Sequence, residues 1–298
     1  MTATDDTART TEGVVVRDGV RLAYRDHRPE VPGGGGTRPP VLLLHGLAGH
    51  GGEWGATARL LAGAGHRVVA LDQRGHGNSE RRPADTSRAA YVADAAAVVR
   101  ELGLGRAVLA GQSLGGHTAL LTAAAHPGLV AALVLVEAGP GRADPGLPGV
   151  IGEWLAGWPV PFPSREAAVA YLGGGNRPVG EGWADGLERR ADGGLWPRFD
   201  PEVMVASVAE NARRAFWDEW AAITCPVLAV LGEGSRGGIV GAEEYAEMAR
   251  LLPRLRGASV PGAGHDVHLE RPGVLHRLVA GFLAEALGAG TTERERPA

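Results

Sequence analysis

The chain has 298 residues, of which 44% are hydrophobic and 21% are charged, with a formal net charge of -4. These values are typical of a globular protein with one large domain, with or without a smaller insertion, rather than of a disordered or a membrane protein. The chain has no long basic patch that would suit nucleic acid and no apolar stretch of membrane-spanning length. Its polar first residues lack the apolar segment of a signal peptide, so a cytoplasmic location is expected.

The first predicted elements form a β-hairpin. Two short apolar runs, Val14–Val16 and Val20–Tyr24, flank Asp18-Gly19, a dipeptide that favours a tight hairpin turn. The glycine-rich segment 31–40 that follows is predicted to be a loop. It lacks the Gly-Lys-Ser/Thr ending and the following helix of a P-loop, which disfavours a phosphate site.

From residue 41 onward, short Val- and Leu-rich runs alternate with longer Ala-rich segments of helical character. This alternation predicts β-α units around a buried, parallel sheet. The predicted strands are 41–44, 67–71, 107–110, 131–136, 226–231 and 255–260. The predicted helices are 53–64, 88–102, 114–126, 242–252 and 273–287.

The alternation is interrupted between residues 141 and 220, where Pro, Gly and aromatic residues replace the strand-like runs. Six of the seven Trp residues lie there: Trp154, Trp158, Trp183, Trp196, Trp217 and Trp220. Structureless loops of this length are uncommon, so a mainly helical lid is predicted. Any one Trp could pack within the lid's own core, but the group as a whole favours an apolar pocket. The predicted substrate-facing residues are Trp154, Trp158, Trp183 and Trp217.

These boundaries divide the chain into three predicted parts. The core domain would comprise residues 13–140 and 221–288, and the lid residues 141–220. Residues 1–12 and 289–298 are predicted to be flexible tails.

The sequence Gly111-Gln112-Ser113-Leu114-Gly115-Gly116 lies directly between a predicted strand and a predicted helix. A nucleophile elbow needs this context, with small residues two before and two after the serine, because its tight turn leaves no room for larger side chains. The turn would expose Ser113 at the end of the strand, near the positive end of the following helix, where a developing anion is stabilised. Ser113 is therefore the predicted nucleophile.

The ordered motifs of the chain resemble those of the α/β-hydrolase fold family. They are His45-Gly46, the segment Asp72 to Ser79, the elbow at Ser113, and Gly264-His265, and the resemblance spans residues 13–287. It implies an α/β fold with a mostly parallel eight-stranded sheet, helices on both faces, and a helical lid inserted after strand 6. It also implies that the backbone N–H groups of Leu47 and Leu114 form an oxyanion hole.

His265 lies in a loop between the last predicted strand and the last predicted helix. A general base must take the serine proton and then deliver it to the leaving group, and a loop His at the C-terminal edge of the sheet can do both. His268 forms a His-x-x-His pair with it, but no further ligand is evident nearby, which disfavours a metal site. Cys225, the single cysteine, is predicted to be a small buried residue.

The acidic member of the triad has two candidates. Many relatives of the family carry an Asp after the seventh strand, but Ser235 occupies that place here. Glu137 follows the sixth predicted strand, where some family members carry their acid, and Glu233 is the competitor. Both satisfy the order Ser, acid, His. Glu137 is preferred, with Glu233, a water-mediated acid or no acid as the alternatives.

The predicted activity is that of a serine hydrolase that cleaves an ester or lactone of a small apolar or aromatic substrate through an acyl-enzyme. The alternatives are a C–C bond hydrolase, a perhydrolase, a non-hydrolytic cyclase and a ligand sensor of the same fold. No cofactor, metal, nucleic acid or membrane partner is expected, and a homodimer remains open.

Several other polar residues are predicted to be structural, namely Asp72, Arg74, Asp94, His76, His117 and His126.

Overall fold

The computed structural model describes residues 9–29 and 38–288. Its strands are β1 (Arg9–Arg17), β2 (Val20–Arg28), β3 (Val41–Leu44), β4 (Val68–Leu71), β5 (Ala107–Gln112), β6 (Val130–Val136), β7 (Leu187–Arg189), β8 (Leu195–Pro197), β9 (Val227–Leu231) and β10 (Leu255–Ser259). Its helices are α1 (Gly55–Gly63), α2 (Arg88–Glu101), α3 (Leu114–Ala125), α4 (Leu147–Ala156), α5 (Arg165–Gly173), α6 (Arg177–Ala184), α7 (Pro201–Arg213), α8 (Trp217–Ala221), α9 (Ala242–Leu251), α10 (Val267–Glu270) and α11 (Pro272–Gly288).

The central sheet has eight strands in the order β1-β2-β4-β3-β5-β6-β9-β10. The pairs β1–β2 and β2–β4 are antiparallel, and all the other pairs are parallel. The hairpin predicted at Asp18-Gly19 and the mostly parallel eight-stranded sheet are thus confirmed. In an arrangement of this kind the carboxyl ends of the parallel strands meet at one edge of the sheet, where ligands bind in open α/β folds.

Both faces of the sheet are covered, which explains why the central strands consist of continuous apolar residues. Alternate side chains of β3 point to opposite faces: Leu42 and Leu44 belong to one core cluster, whereas Val41 and Leu43 belong to the other. Helices α2, α3, α8 and α9 cover the first face, and α1 and α11 cover the second. No helix within the described ranges combines the length and the apolar character that a membrane crossing requires.

Residues 141–213, which we call the cap, hold helices α4 to α7 and a two-stranded sheet of β7 and β8. The cap has its own core, in which Trp158 and Phe162 pack with Phe199 and Met204. Four helices make up most of this segment between β6 and β9. The strands β7 and β8 were not predicted because each has only 3 residues.

The structure differs from the predicted boundaries at two places. Residues 9–12, predicted to be part of a flexible tail, belong to β1, where they pair with β2 along its whole length. Helix α8, predicted to be part of the lid, packs in the main core: Trp220 is fully buried and its indole N–H donates to the carbonyl oxygen of Met248 at 3.0 Å. Residues 1–8, 30–37 and 289–298, which include most of both predicted tails and most of the predicted glycine-rich loop, lie outside the described residues.

Candidate active site

Ser113 lies at a sharp turn between β5 and α3. Its backbone has φ 50° and ψ -117°, a conformation that is costly for an L-residue other than glycine and is found mainly at functional sites. The surrounding backbone holds it there, since the N–H of Ser113 donates to the carbonyl oxygen of Val136 at 3.0 Å and its own carbonyl oxygen accepts from His117 at 2.9 Å. Within residues 9–29 and 38–288, no protein group hydrogen-bonds to Ser113 Oγ, which leaves this hydroxyl free to meet a substrate.

The glycines around Ser113 are required by the close approach of other backbone segments. A Cβ atom on Gly111 would lie 2.3 Å from the carbonyl carbon and oxygen of Gly115, and one on Gly115 would lie 2.2 Å from the carbonyl oxygen of Leu44. Backbone atoms cannot move aside as the end of a flexible side chain can. The glycine pattern of the motif therefore follows from the packing of the elbow against β3 and its own helix.

The structure brings His265 and Glu137 together beside this turn. Nδ1 of His265 lies 3.7 Å from Oε2 of Glu137, slightly beyond an ordinary hydrogen bond, and such contacts often tighten only when a substrate binds. The side-chain amide of Gln112 donates to the carbonyl oxygen of His265 at 3.1 Å, so the histidine loop is tied to the residue that precedes the nucleophile. Ser113, His265 and Glu137 all line one cavity.

Glu137 is held as a buried anion. Its side chain is 0% exposed, and its own φ of 50° is again unusual for a residue with a side chain. The backbone N–H of Gly232 donates to Oε1 at 2.6 Å, and the backbone N–H of Ile239 donates to Oε2. Burial alone would raise the pKa of Glu137, but the nearby His265 ring and these two N–H donors outweigh it and lower the pKa.

Glu233, the alternative acid, is placed differently. Its backbone joins the turn after β9, where its N–H donates to the carbonyl oxygen of Ala263 at 2.8 Å. It is absent from the described residues that line the cavity, whereas Glu137 is among them. The geometry therefore favours Glu137 as the partner of His265.

The two predicted oxyanion donors also lie at this cavity. Leu114 is the first residue of α3, so its N–H has no acceptor within the helix. Neither this N–H nor that of Leu47 donates to a protein acceptor in the part of the chain that the structure describes. Both donors therefore remain available for an anion, as the predicted role requires.

Two buried histidines fix the loop that carries Leu47. The ring of His45 donates from Nδ1 to the carbonyl oxygen of Gly46 at 2.7 Å and accepts at Nε2 from the backbone N–H of Gln73 at 3.0 Å. Burial lowers the pKa of His45 to about 3, so the ring stays neutral. His50 accepts at Nδ1 from the N–H of Gly52 and donates from Nε2 to the carbonyl oxygen of Gly182 in the cap, at 3.0 Å.

The polar residues predicted to be structural behave in most cases as expected. Asp72 accepts from the backbone N–H groups of Gly51 and Asn78 at 2.6 and 2.8 Å. Arg74 and Asp94 form a buried two-point ion pair, with N–O distances of 2.6 and 2.8 Å. His117 differs, because it lines the cavity as well as packing on Phe216 with a ring separation of 4.4 Å.

The cavity has a volume of about 730 Å³, which is within the range of small-molecule sites. Trp154, Trp158 and Trp183 line it and contact one another edge-on or at a tilt, with ring separations between 5.4 and 6.0 Å. The prediction for Trp217 is wrong: this residue packs against the main core from α8 and is not among the described lining residues. The reason is that Trp217 lies on the short helix α8, which packs on the main core rather than in the cap. The sequence pattern does not show where this helix packs.

The two histidines of the His-x-x-His pair have different acidic neighbours, Glu137 for His265 and Glu53 for His268. His268 is buried against Trp54, with a ring separation of 4.7 Å, and its Nε2 lies 3.4 Å from Oε2 of Glu53. Among the described residues, no group of three or more His, Cys, Asp or Glu side chains is arranged to hold a metal ion. Glu53 and Gln112 also line the cavity. Neither residue was predicted to line the site: Gln112 is the variable position before the nucleophile in the elbow motif, and Glu53 lies in no distinctive motif.

Comparisons with known proteins identify the family of the chain. The model of the alpha/beta hydrolase family matches residues 41–278. The 2-(acetamidomethylene)succinate hydrolase of Mesorhizobium japonicum is 31% identical over 254 residues, which cover 83% of this chain and 89% of that protein. An esterase of Mycobacterium tuberculosis is 31% identical, with 84% of each chain covered.

The solved structures lead to the same family. The crystal structure of an E-2-(acetamidomethylene)succinate hydrolase superposes with a TM-score of 0.80 at 26% identity, covering 92% of this chain and 99% of the other. An enol-lactonase from Burkholderia xenovorans shares the fold, with a TM-score of 0.73 at 20% identity and coverage of 91% and 100%. The chain belongs to the alpha/beta hydrolase family and is a hydrolase.

Proposed function

We propose that the protein is a serine hydrolase that cleaves an ester or lactone of a small, uncharged, apolar or aromatic substrate through an acyl-enzyme. The observation that carries the proposal is the strained turn at Ser113, which opens into the same cavity as His265 and Glu137. Strain of this kind is kept where it serves a function.

In the proposed mechanism, Nε2 of His265 takes the proton of Ser113 as Oγ attacks the substrate carbonyl. The N–H groups of Leu47 and Leu114 stabilise the oxyanion, and Glu137 orients the imidazole and stabilises its positive charge. His265 then protonates the leaving alcohol. Water activated by the same histidine hydrolyses the acyl-enzyme and frees Ser113.

The cavity lining supports an uncharged substrate. Three Trp residues supply apolar surface. Among the described residues that line the cavity, Arg142 is the one arginine, whereas five are acidic. The relative from Mesorhizobium acts, by its name, on a succinate, which carries two carboxylates. A dianion would need more cationic partners than Arg142. We therefore propose that this chain and that relative differ in substrate, and that the cap is the lid that encloses the substrate.

The proposal is tested with a panel of 4-nitrophenyl esters, aromatic lactones and amides on the wild-type protein and on Ser113→Ala. We expect Ser113→Ala to lose at least about a thousandfold in kcat/KM. A serine-directed phosphonate should label Ser113 stoichiometrically and abolish turnover. Labelling without catalytic turnover of any substrate in the panel would instead indicate a ligand sensor, and full activity of Ser113→Ala would refute the mechanism.

A further inference from the structure

A second buried acid faces the cavity, apart from the catalytic one. Glu53 lies on the short turn Gly51–Trp54 that precedes α1, and its side chain is only 3% exposed. It lines the same cavity as Ser113 and His265. Its carboxyl group packs against the loop that carries Leu47, since a Cβ atom on Gly49 would lie 2.7 Å from each of its two oxygens.

The ionisable neighbours of this carboxyl group are two histidines, His50 and His268, and two acids, Asp266 and Asp72. His50 has both ring nitrogens in hydrogen bonds with backbone groups, and no arginine forms an ion pair with Glu53 among the described residues. Burial, with Asp266 and Asp72 nearby, raises the pKa of Glu53 to about 8, although His50 opposes the shift. Burial also lowers the pKa of His268 to about 4. At neutral pH the two side chains therefore form an uncharged pair.

The hydrogen-bond polarity of this pair follows from the tautomer of His268. Oε2 of Glu53 lies 3.4 Å from Nε2 of His268, and in the tautomer with an unprotonated Nε2, a proton on Oε2 donates toward that nitrogen. Oε1 is then a carbonyl-like oxygen that can only accept. It is buried and has no partner among the described protein groups. A buried acceptor left unpaired is costly, so a site of this kind favours a ligand that brings a donor.

We propose that Oε1 of Glu53 accepts a hydrogen bond from a hydroxyl or amide N–H of the substrate, so that Glu53 selects esters and lactones that carry such a donor near the scissile carbonyl. The inference rests on the proposed serine hydrolase function and defines its substrate further. Glu53 is a specificity residue in this proposal and takes no part in the transfer of the serine proton.

The test compares two pairs of esters that differ only by a hydroxyl in place of a methyl group. One pair changes the acyl side: 4-nitrophenyl 3-hydroxybutanoate and 4-nitrophenyl 3-methylbutanoate. The other changes the alcohol side: 2-hydroxyethyl butanoate and propyl butanoate. The measured quantity is the ratio of kcat/KM within each pair, because a ratio is unaffected by the fraction of active enzyme. We expect the hydroxyl ester to be preferred about tenfold or more in at least one pair.

Two substitutions at Glu53 separate hydrogen bonding from shape. Glu53→Gln keeps an NH₂ group toward His268 and an oxygen toward the cavity, so most of the preference should remain. Glu53→Met has a similar shape without a strong acceptor, and the ratio should fall to about one. Glu233→Met is the matched control: it makes the same change in an acid that is not among the described residues lining the cavity, so the ratio should not change.

If Glu53→Met does not fold, the wild-type ratios still test the proposal. Ratios near one in both pairs would overturn the selection by Glu53 while leaving the serine hydrolase intact. A preference that persists unchanged in Glu53→Met would also overturn it and would show that another group selects the hydroxyl. If none of the four esters is hydrolysed in a Ser113-dependent way, both proposals fall.

Discussion

Nδ1 of His265 lies 3.7 Å from Oε2 of Glu137. Two backbone N–H groups also donate hydrogen bonds to this carboxylate. We expect Glu137→Gln to reduce kcat by about a hundredfold or more, because the amide cannot stabilise the imidazolium as a carboxylate does. Glu233→Gln, outside the described cavity lining, is the control and should remain within about threefold of wild type in kcat/KM. If Glu137→Gln itself stays within about threefold, Glu137 is not the orienting acid.

The second prediction concerns the packing of the elbow. A Cβ atom on Gly115 would lie 2.2 and 2.4 Å from the carbonyl oxygens of Leu44 and His45, so Gly115→Ala should destabilise the fold by about 3 kcal/mol or lead to insoluble protein. Gly149→Ala is the matched control, because nothing lies within 4 Å of a Cβ there and alanine favours a helix. Thermal unfolding of both variants gives the comparison; a Gly115→Ala protein as stable as wild type would contradict the steric argument.

Substitution of a Trp that lines the cavity should change KM, whereas substitution of Trp217 should change the thermal stability. Trp154 lines the cavity and is 40% exposed, so we expect Trp154→Ala to raise KM for aromatic esters about five- to tenfold with a small change in Tm. Trp217→Ala should do the opposite, lowering Tm by several degrees with KM nearly unchanged, since Trp217 packs on the main core. Equal effects of the two substitutions on KM would show that the cavity wall has been misassigned.

The last prediction is a pH dependence of stability. Burial lowers the pKa of His117 to about 3, whereas the unfolded chain takes up a proton on this residue below about pH 6.5. The unfolded state therefore binds more protons between these values, and stability falls as the pH drops through this window. His117→Leu should recover roughly 1 to 3 kcal/mol of this loss at pH 4.

Urea denaturation of wild type and His117→Leu at pH 4 and pH 7 measures that difference. Both ring nitrogens of His117 lack protein partners among the described residues, so the substitution removes no hydrogen bond at pH 7. A difference in stability between the two proteins that is the same at both pH values would show that His117 does not titrate in this way.

The parallel strands and the nucleophile could be predicted because each has a local signature. The strands are short apolar runs between helical segments, and Ser113 lies in a motif that fixes its own backbone shape. The preference for Glu137 over Glu233 has no such local signature and comes from the family resemblance, because both residues precede His265 in the chain. The decision between them depends on where the ends of β6 and β9 place the two side chains.

Other features depend on contacts between distant segments and were missed for that reason. The position of Trp217 follows from the packing of α8 on α3 and α9, which a helix of 5 residues does not specify by itself. Glu53 has no motif around it, and its burial comes from contact with His268, which is 215 residues away along the chain. Sequence patterns predict helices and strands better than they predict the tertiary contacts between them.

Ser113 and Glu137 end neighbouring strands, and both have a φ of 50°. Glycine would adopt this backbone at a lower conformational cost than serine or glutamate. At Glu137 the carboxylate offsets this cost by accepting from the backbone N–H groups of Gly232 and Ile239, whereas the hydroxyl of Ser113 has no protein partner among the described residues. An inactive Ser113→Gly protein could therefore match or exceed the thermal stability of the active one, so selection for stability alone would tend to erase the nucleophile.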